Sequence, residues 1–180
     1  MYRWIEYWKF KFKARTYTPL TDPSGKWTLV MMTRADIGLL GSYNKYLKSP
    51  FETFYVGGDG MSGSYGYAQE TIALRGYDNG VFTPWTKDGY AYTRMCLELH
   101  FPFMLQPSTT IYGIAFLEGG NAWTDVKDIA PFNLKRSAGA GVRIYLPMVG
   151  MMGIDWAYGF DEVYGEKGGS HFHFILGQEF

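Results

Sequence analysis

The segment Trp27–Asn44, with the sequence WTLVMMTRADIGLLGSYN, alternates apolar and polar side chains with a period of two. Its odd positions form a largely apolar column with an aromatic residue at each end: Trp27, Leu29, Met31, Thr33, Ala35, Ile37, Leu39, Gly41 and Tyr43. Its even positions include Arg34, Asp36, Ser42 and Asn44. Successive side chains of a β-strand point to opposite faces, so this pattern predicts a long strand with one apolar and one polar face.

The same alternation recurs along the chain. We predict eight strands, over Arg3–Thr16, Trp27–Asn44, Pro50–Gly57, Tyr90–Phe103, Thr109–Gly119, Phe132–Pro147, Met151–Asp161 and Ser170–Phe180. Pro50–Gly57 and Thr109–Gly119 alternate less cleanly but are bounded by Pro and Gly. The clean segments exceed the usual strand length of about 5–6 residues and reach the ~9–11 residues that cross a bilayer.

The division of side chains between the two faces favours a membrane protein over an aromatic-rich soluble β-protein. Aromatic residues make up 19% of the sequence, and rings at the ends of an apolar column suit the headgroup level of a bilayer. The polar column is rich in Gly and small residues, which suits an aqueous lumen. The predicted fold class is therefore all-β, a transmembrane antiparallel β-barrel.

Composition excludes several other classes. Lys and Arg number 17, as do Asp and Glu, so there is no bulk electrostatic case for a nucleic-acid partner. The single cysteine, Cys96, excludes an internal disulfide framework. No run of 18 apolar residues predicts a transmembrane helix. The segment that follows Met1 lacks the features of a signal peptide, so we expect the natural amino terminus to lie outside this sequence.

The lengths of the connections predict an orientation. Tyr46–Pro50, Pro102–Ser108 and Pro147–Gly150 are short, whereas Tyr17–Lys26, Gly58–Gly89, Gly120–Pro131 and Glu162–Gly169 are longer. Outer-membrane barrels keep short turns in the periplasm and long loops outside. Short and long connections alternate across the eight predicted strands, so we expect both chain ends to face the periplasm.

No motif predicts an enzyme, a cofactor or a metal site. His171 and His173 share a strand face, but no third ligand of suitable spacing follows, which favours polar lumen histidines. The glycines after Gly57 lack the Lys-Ser/Thr of a phosphate loop. Glu98 and Glu118 would form a carboxylate pair only by an accident of the fold.

Four stretches, in this order, carry a family resemblance. They are Pro50–Gly58 (PFETFYVGG), the motif Leu74-Arg75-Gly76-Tyr77, the segment Phe116-Leu117-Glu118-Gly119-Gly120, and the terminal strand with Ser137–Gly139 and Gly141–Arg143 two strands before it. The second matches (V/L)RG(F/Y), and the third stands where the family shows F-x-D-x-G. The chain resembles the carboxy-terminal half of the barrel in the BamA family of outer-membrane protein assembly factors, and most of all its members from Bacteroidota.

The resemblance implies a sixteen-stranded barrel, of which residues 1–180 supply the last eight strands, without the first barrel half or the periplasmic POTRA domains. It implies that a long loop at about 58–89 folds into the lumen, where Arg75 contacts an acidic residue of the wall. That residue corresponds to Glu118, one methylene longer than the family's Asp. Phe116, Gly120 and Arg143 belong to the matching wall motifs.

A second acidic candidate follows from strand pairing. With a turn at Pro147–Gly150, antiparallel pairing brings Arg143 near Asp155 on the lumen face, where opposite charges contribute roughly 0.2–1 kcal/mol. Asp155 is therefore an alternative partner for Arg75. A wall ion pair in which Arg75 has no part is the other interpretation.

The terminal strand Ser170–Phe180 places Phe172, Phe174, Leu176 and Phe180 on one face. This resembles the outer-membrane β-signal, although Gln178 departs from its apolar pattern. In the family this strand pairs weakly with the first barrel strand, and the seam opens to template client strands. An ordinary closing strand is the alternative.

These observations predict a non-enzymatic protein of the bacterial outer membrane that assists the folding and insertion of other outer-membrane proteins. Its expected partners are outer-membrane lipids, unfolded outer-membrane protein clients, and accessory assembly lipoproteins or periplasmic subunits. A translocation or secretion pore of the same superfamily, and a passive diffusion porin, are the alternatives.

Overall fold

A computed structural model describes residues 6–22, 27–44, 48–49, 51–61, 69–84, 87–106, 108–148 and 150–177. Its strands are β1 (Tyr7–Pro19), β2 (Val30–Ser42), β3 (Phe54–Val56), β4 (Glu70–Ile72), β5 (Ala91–Gln106), β6 (Thr109–Trp123), β7 (Lys135–Leu146), β8 (Gly150–Gly159) and β9 (Ser170–Leu176). A short 3₁₀ helix spans Val126–Asp128. Among the described residues, no helix is long and apolar enough to cross a bilayer.

Seven of the strands form one antiparallel sheet in the order β1-β2-β5-β6-β7-β8-β9. Each strand pairs with the next one along this order, so β1 and β9 are the edges of the sheet in the part of the chain that is described. The fold is all-β and its main sheet is antiparallel, in agreement with the predicted fold class.

The prediction of a barrel strand at Pro50–Gly57 is wrong, and the sheet has seven strands instead of eight. β2 pairs directly with β5, with Met31 opposite Leu99. Among the described residues of the predicted segment, Phe54–Val56 forms the strand, and it pairs in parallel with β4. Gly57 and Gly58 then adopt φ values of +132° and +72°, which turn the chain away after three residues. The described residues between β2 and β5 are called the insert below.

The two ends of the sheet differ in their connections. The short connections β5–β6 and β7–β8 lie at one end, here called the turn end, and β2–β5, β6–β7 and β8–β9 are joined at the other, the loop end. The longer β1–β2 connection also lies at the turn end, since Pro19 is opposite Val30.

This topology corrects the predicted orientation of the chain ends. β1 begins at the loop end, where Tyr7 is opposite Ser42. β9 finishes at the turn end, where Leu176 is opposite Met152. The two therefore lie at opposite ends of the sheet, and the prediction that both face the periplasm is wrong for the described residues. The error follows from counting Pro50–Gly57 as a strand of the sheet. In an antiparallel sheet, one strand more or fewer reverses the direction inferred for every strand that precedes it in the sequence.

The two faces of the sheet have opposite character. One face is covered by the insert and buries charged side chains, among them Arg34, Asp36, Arg94, Glu98, Glu118, Arg143 and Asp155. The other face exposes large apolar side chains, among them Leu97, Leu117, Val142, Ile154, Trp156 and Phe174. A polar interior with an apolar exterior is the arrangement of a membrane-spanning sheet.

The insert packs on the sheet through an apolar core to which both contribute. Phe54, Val56, Ile72, Leu74, Tyr77, Phe82, Tyr90, Tyr92 and Val163 belong to this buried cluster. Leu74 and Gly58 exchange two backbone hydrogen bonds, each of 3.1 Å. At the β1 edge, Glu70 accepts from Lys11 and is 3.0 Å from Nζ of Lys9. The insert is therefore fixed over the sheet, with the turn that follows Leu74 aimed at its centre.

Candidate functional site

The motif Leu74-Arg75-Gly76-Tyr77 forms a tight turn against the sheet. Gly76 has φ +87°, a region that residues with a Cβ rarely adopt. A Cβ at Gly76 would lie 2.8 Å from Cβ of Ser137 and 3.0 Å from the backbone nitrogen of Gly159. The turn can approach β7 and β8 this closely only because position 76 is glycine.

Arg75 is fully buried, and its guanidinium binds three carboxylates from three strands. Nε donates to Oε2 of Glu118 on β6 at 2.9 Å. Nη1 donates to Oδ2 of Asp155 on β8 at 3.0 Å. Nη2 donates to Oε1 of Glu98 on β5 at 2.5 Å. One side chain of the insert therefore joins three strands of the sheet.

Two further contacts fix the plane of the guanidinium. Its central carbon lies 3.6 Å from the ring centroid of Phe116, a cation–π geometry that gains strength when water is excluded. Nη2 also donates to the sulfur of Cys96 at 3.3 Å. The flat, forked guanidinium can satisfy all of these partners together, whereas a lysine ammonium lacks the required geometry.

Each of the three carboxylates has a second partner on the sheet. Nε of Arg94 donates to Oε1 of Glu118 at 2.5 Å. Arg143 donates to both oxygens of Asp155, at 2.5 and 2.7 Å. Nε2 of His100 lies 2.9 Å from Oε2 of Glu98. Arg75, Arg94 and Arg143 thus balance Glu98, Glu118 and Asp155, and these six residues are called the ion cluster below.

Burial and neighbouring charges shift the pKa values of the two ionisable residues of the motif, Arg75 and Tyr77. Burial alone would lower the pKa of Arg75, but the neighbouring groups, with Glu118 and Glu98 the strongest among them, hold this pKa well above its ordinary value. Burial raises the pKa of Tyr77 to about 12. The hydroxyl of Tyr77 donates to the backbone oxygen of Arg136 at 2.7 Å, so the phenol form is the one that binds β7.

The remaining motif residues support this turn. Leu74 lies in the core of the insert and is fully buried. Gly120 makes room for it, because a Cβ at that position would lie 2.8 Å from Cδ1 of Leu74. The structure therefore brings together Leu74, Arg75, Gly76, Tyr77, Phe116, Glu118, Gly120, Arg143 and Asp155.

The two faces of the terminal strand β9 carry different side chains. Phe172, Phe174 and Leu176 are exposed on the apolar side of the sheet. His173 is buried on the insert side, and its Nε2 accepts a 3.0 Å hydrogen bond from the backbone N–H of Gly76. Phe180 and Gln178 lie outside the described residues.

Sequence reasoning missed several members of the site. Glu98, Arg94 and Cys96 occupy consecutive inward positions of β5, yet none was predicted to meet Arg75. Glu98 and Glu118, for which the sequence gives no reason to meet, share one arginine. The usable signal was the run of ionisable side chains on the polar column of β5, because a buried charge requires a partner.

The arrangement supports a structural clamp more than a reaction centre. Both oxygens of Glu118 and of Asp155 are bound to arginines. Among the described residues, no group of three or more His, Cys, Asp or Glu side chains is placed to hold a metal ion. The chemistry that follows directly from these contacts is the retention of the insert on the sheet.

Comparison with known proteins identifies the family. The family model of the Omp85 superfamily domain matches residues 1–180. The chain belongs to the Omp85 superfamily. Omp85 proteins are outer-membrane proteins, in agreement with the apolar outer face of the sheet.

A solved structure shows the same fold as this Omp85 domain. The crystal structure of BamA from Haemophilus ducreyi lacking POTRA domains 1–3 superimposes with a TM-score of 0.65 at 18% sequence identity. The match covers 94% of this chain and 35% of that chain. The Omp85 domain described here thus spans about a third of the length of that structure. No curated protein is detectably similar in sequence.

Proposed function

We propose that this Omp85 domain is the carboxy-terminal part of a barrel that assists other outer-membrane proteins to fold and insert. The observation that carries the proposal is the binding of Arg75 to Glu98, Glu118 and Asp155, which ties the insert to the polar face of the sheet. The superfamily match and the BamA-like fold support the same function. The activity needs no bond-making step, so neither an enzymatic reaction nor a cofactor is part of the proposal.

The terminal strand β9 is the proposed site of client contact. Its free edge presents backbone N–H and C=O groups, and an unpaired backbone group in lipid costs several kcal/mol. A client strand that pairs with this edge removes that cost, as in other cases of strand addition. The apolar side chains Phe172, Phe174 and Leu176 face the lipid in this arrangement.

The missing parts of the barrel belong to the same proposal. We place the remaining strands and the periplasmic POTRA domains in the rest of the protein, together with contacts to accessory lipoproteins or periplasmic subunits. The total of sixteen strands, the membership of a Bacteroidota-like group and the lumen position of the insert are likewise inferred from the family resemblance.

A translocation pore of the same superfamily is the second candidate. It is favoured by one observation, namely that the insert covers the polar face and could act as a plug. A passive diffusion porin is less favoured, because the ion cluster fixes the insert where solutes would pass.

The test measures client folding by the full-length protein in lipid vesicles, with variants Arg75→Ala and Arg75→Lys. The control is Arg136→Ala, since the side chain of Arg136 is largely exposed and, among the described residues, pairs with Asp161 at the surface. We expect both Arg75 variants to fold a client barrel more slowly, and the control to resemble the wild type. Undiminished client folding by both Arg75 variants, or transport of a soluble passenger without client insertion, would contradict the proposed function.

A further inference from the structure

The insert and the terminal strand are joined by one buried hydrogen bond. The backbone N–H of Gly76 donates to Nε2 of His173 at 3.0 Å. Gly76 and His173 are both buried, so water does not compete for this bond. Ninety-seven positions separate the two residues, and the bond therefore links two parts of the fold that are independent in sequence.

The bond defines the chemical form of the imidazole. A backbone N–H can only donate, so Nε2 of His173 carries the lone pair and the ring proton lies on Nδ1. The ring stacks on His171, with centroids 6.1 Å apart. Asp155 on β8 is paired with His173 on β9, so the histidine lies directly beside the ion cluster.

The bond also depends on the strand register of β9. A shift of one residue would turn every side chain of β9 to the opposite face. His173 would then face the lipid, and Phe172 or Phe174 would enter the polar interior. A shift of two residues would replace His173 by His171 or Ile175 beside Gly76. Only the observed register offers Nε2 of His173 to the Gly76 turn while the phenyl rings remain outside. Of the two shifts by two residues, one would offer Nε2 of His171 and the other would leave Gly76 without a side-chain acceptor from β9.

The insert is attached near both edges of the sheet. At β1, Nζ of Lys9 contacts the side chains of Glu52 and Glu70, each at 3.0 Å. At β9, the contacts are the Gly76–His173 bond and an approach of Asp78 to His171 at 3.4 Å. Of these, the bond to His173 is the buried one on the β9 side.

We propose that His173 is a positioning residue that latches β9 to the Gly76 turn, so that a change in the position or register of β9 breaks this bond and loosens the turn that carries Arg75. The inference rests on the proposed function, in which β9 is the strand that meets clients. It adds a specific coupling between that strand and the insert.

The experiment compares His173→Gln with His173→Asn in the full-length protein. The Gln amide oxygen can stand where Nε2 stands, whereas the shorter Asn places its acceptor near Nδ1 and does not reach Gly76. Hydrogen exchange is measured on the peptide that contains Gly76. We expect exchange about fivefold to tenfold faster in His173→Asn, the factor that corresponds to one lost hydrogen bond, and exchange close to wild type in His173→Gln.

Ser170→Ala is the control, because Ser170 is exposed on the outer side of the same strand, where its hydroxyl oxygen accepts from Nε1 of Trp156. It should leave exchange at Gly76 near the wild-type rate. Unchanged exchange in His173→Asn, or an equal increase in Ser170→Ala, would overturn the latch. This readout needs no client, so the latch can fail while client folding still depends on Arg75, and client folding can fail to depend on Arg75 while the latch holds.

Discussion

Asp155 and Arg75 lie 80 positions apart in the sequence and share a 3.0 Å hydrogen bond. The same carboxylate accepts two hydrogen bonds from Arg143 on the neighbouring strand. Asp155 therefore has one bond to the insert and two to the sheet, and it is itself fully buried. A single buried carboxylate thus joins the loop motif to the wall.

Asp155→Asn should destabilise the protein strongly. The substitution leaves Arg75 and Arg143 with one negative charge fewer, and breaking a buried ion pair costs about 3–5 kcal/mol. Urea unfolding in lipid vesicles would measure the loss in free energy of unfolding. Asp161→Asn is the control, since Asp161 pairs with the exposed Arg136 and should change little. Equal losses in the two variants would show that the ion cluster has no special role.

Gly76→Ala should be more harmful than Gly165→Ala. Both glycines have positive φ, +87° and +89°, so both substitutions incur a conformational cost of roughly 1–2 kcal/mol. At Gly76 the new Cβ also meets Ser137 at 2.8 Å, whereas at Gly165 no atom lies within 4 Å. Overpacking adds typically about 1–3 kcal/mol.

Thermal unfolding of the two glycine variants, followed by the mobility shift of the folded barrel on gels, would measure this difference. If the two variants melted together, the close approach of the motif turn to β7 and β8 would be incorrect.

Cys96 reports whether the insert is in place. Its thiol is buried and accepts a hydrogen bond from Arg75, so a maleimide should label the folded protein slowly. Arg75→Ala should accelerate labelling by about tenfold or more. The insert must move away from the sheet to expose Cys96, and without Arg75 this local opening no longer has to break the contacts of the ion cluster. Arg136→Ala should label at the wild-type rate. Slow labelling in Arg75→Ala would mean that Cys96 is protected by the sheet alone.

We expect ionisation of Tyr77 to lower the stability of the folded protein at alkaline pH. Burial raises its pKa to about 12, from about 10 in the unfolded chain, so folding favours the neutral phenol. Its contribution is fully present below pH ~10 and is lost as the pH rises through about 12. The difference in absorbance at 295 nm between wild type and Tyr77→Phe isolates this titration. A difference curve centred near pH 10 would contradict the burial of the phenol.

The period-two alternation of side chains predicted the sheet well, because each long strand has one polar, buried face and one apolar, exposed face. Trp27–Asn44 and Tyr90–Phe103 show this clearly: the first contains β2, and the second overlaps β5, which continues to Gln106. The prediction for Pro50–Gly57 was wrong because eight residues with an unclear alternation are compatible with a strand in any sheet. Its extended part belongs to a two-stranded parallel sheet in the insert, and the alternation within a single strand says nothing about its partner.

The site was predictable only in part, since it depends on contacts between distant segments. The pairing of Arg143 with Asp155 follows from a short turn between adjacent strands. The meeting of Arg75 with Glu118 was expected from the family resemblance. Glu98 and His173 reach the motif through the position of the insert over β5 and β9, which no local pattern in the sequence encodes.

The strand count has a geometric consequence for how the barrel closes. Six successive antiparallel pairings separate β1 from β9, so the two edge strands run in the same direction. Direct contact between them would be a parallel pairing, which differs from every other pair in this sheet. A fully antiparallel, even-stranded barrel therefore requires an odd number of strands between β9 and β1. For the total of sixteen strands proposed above, nine strands would lie outside the sheet described here.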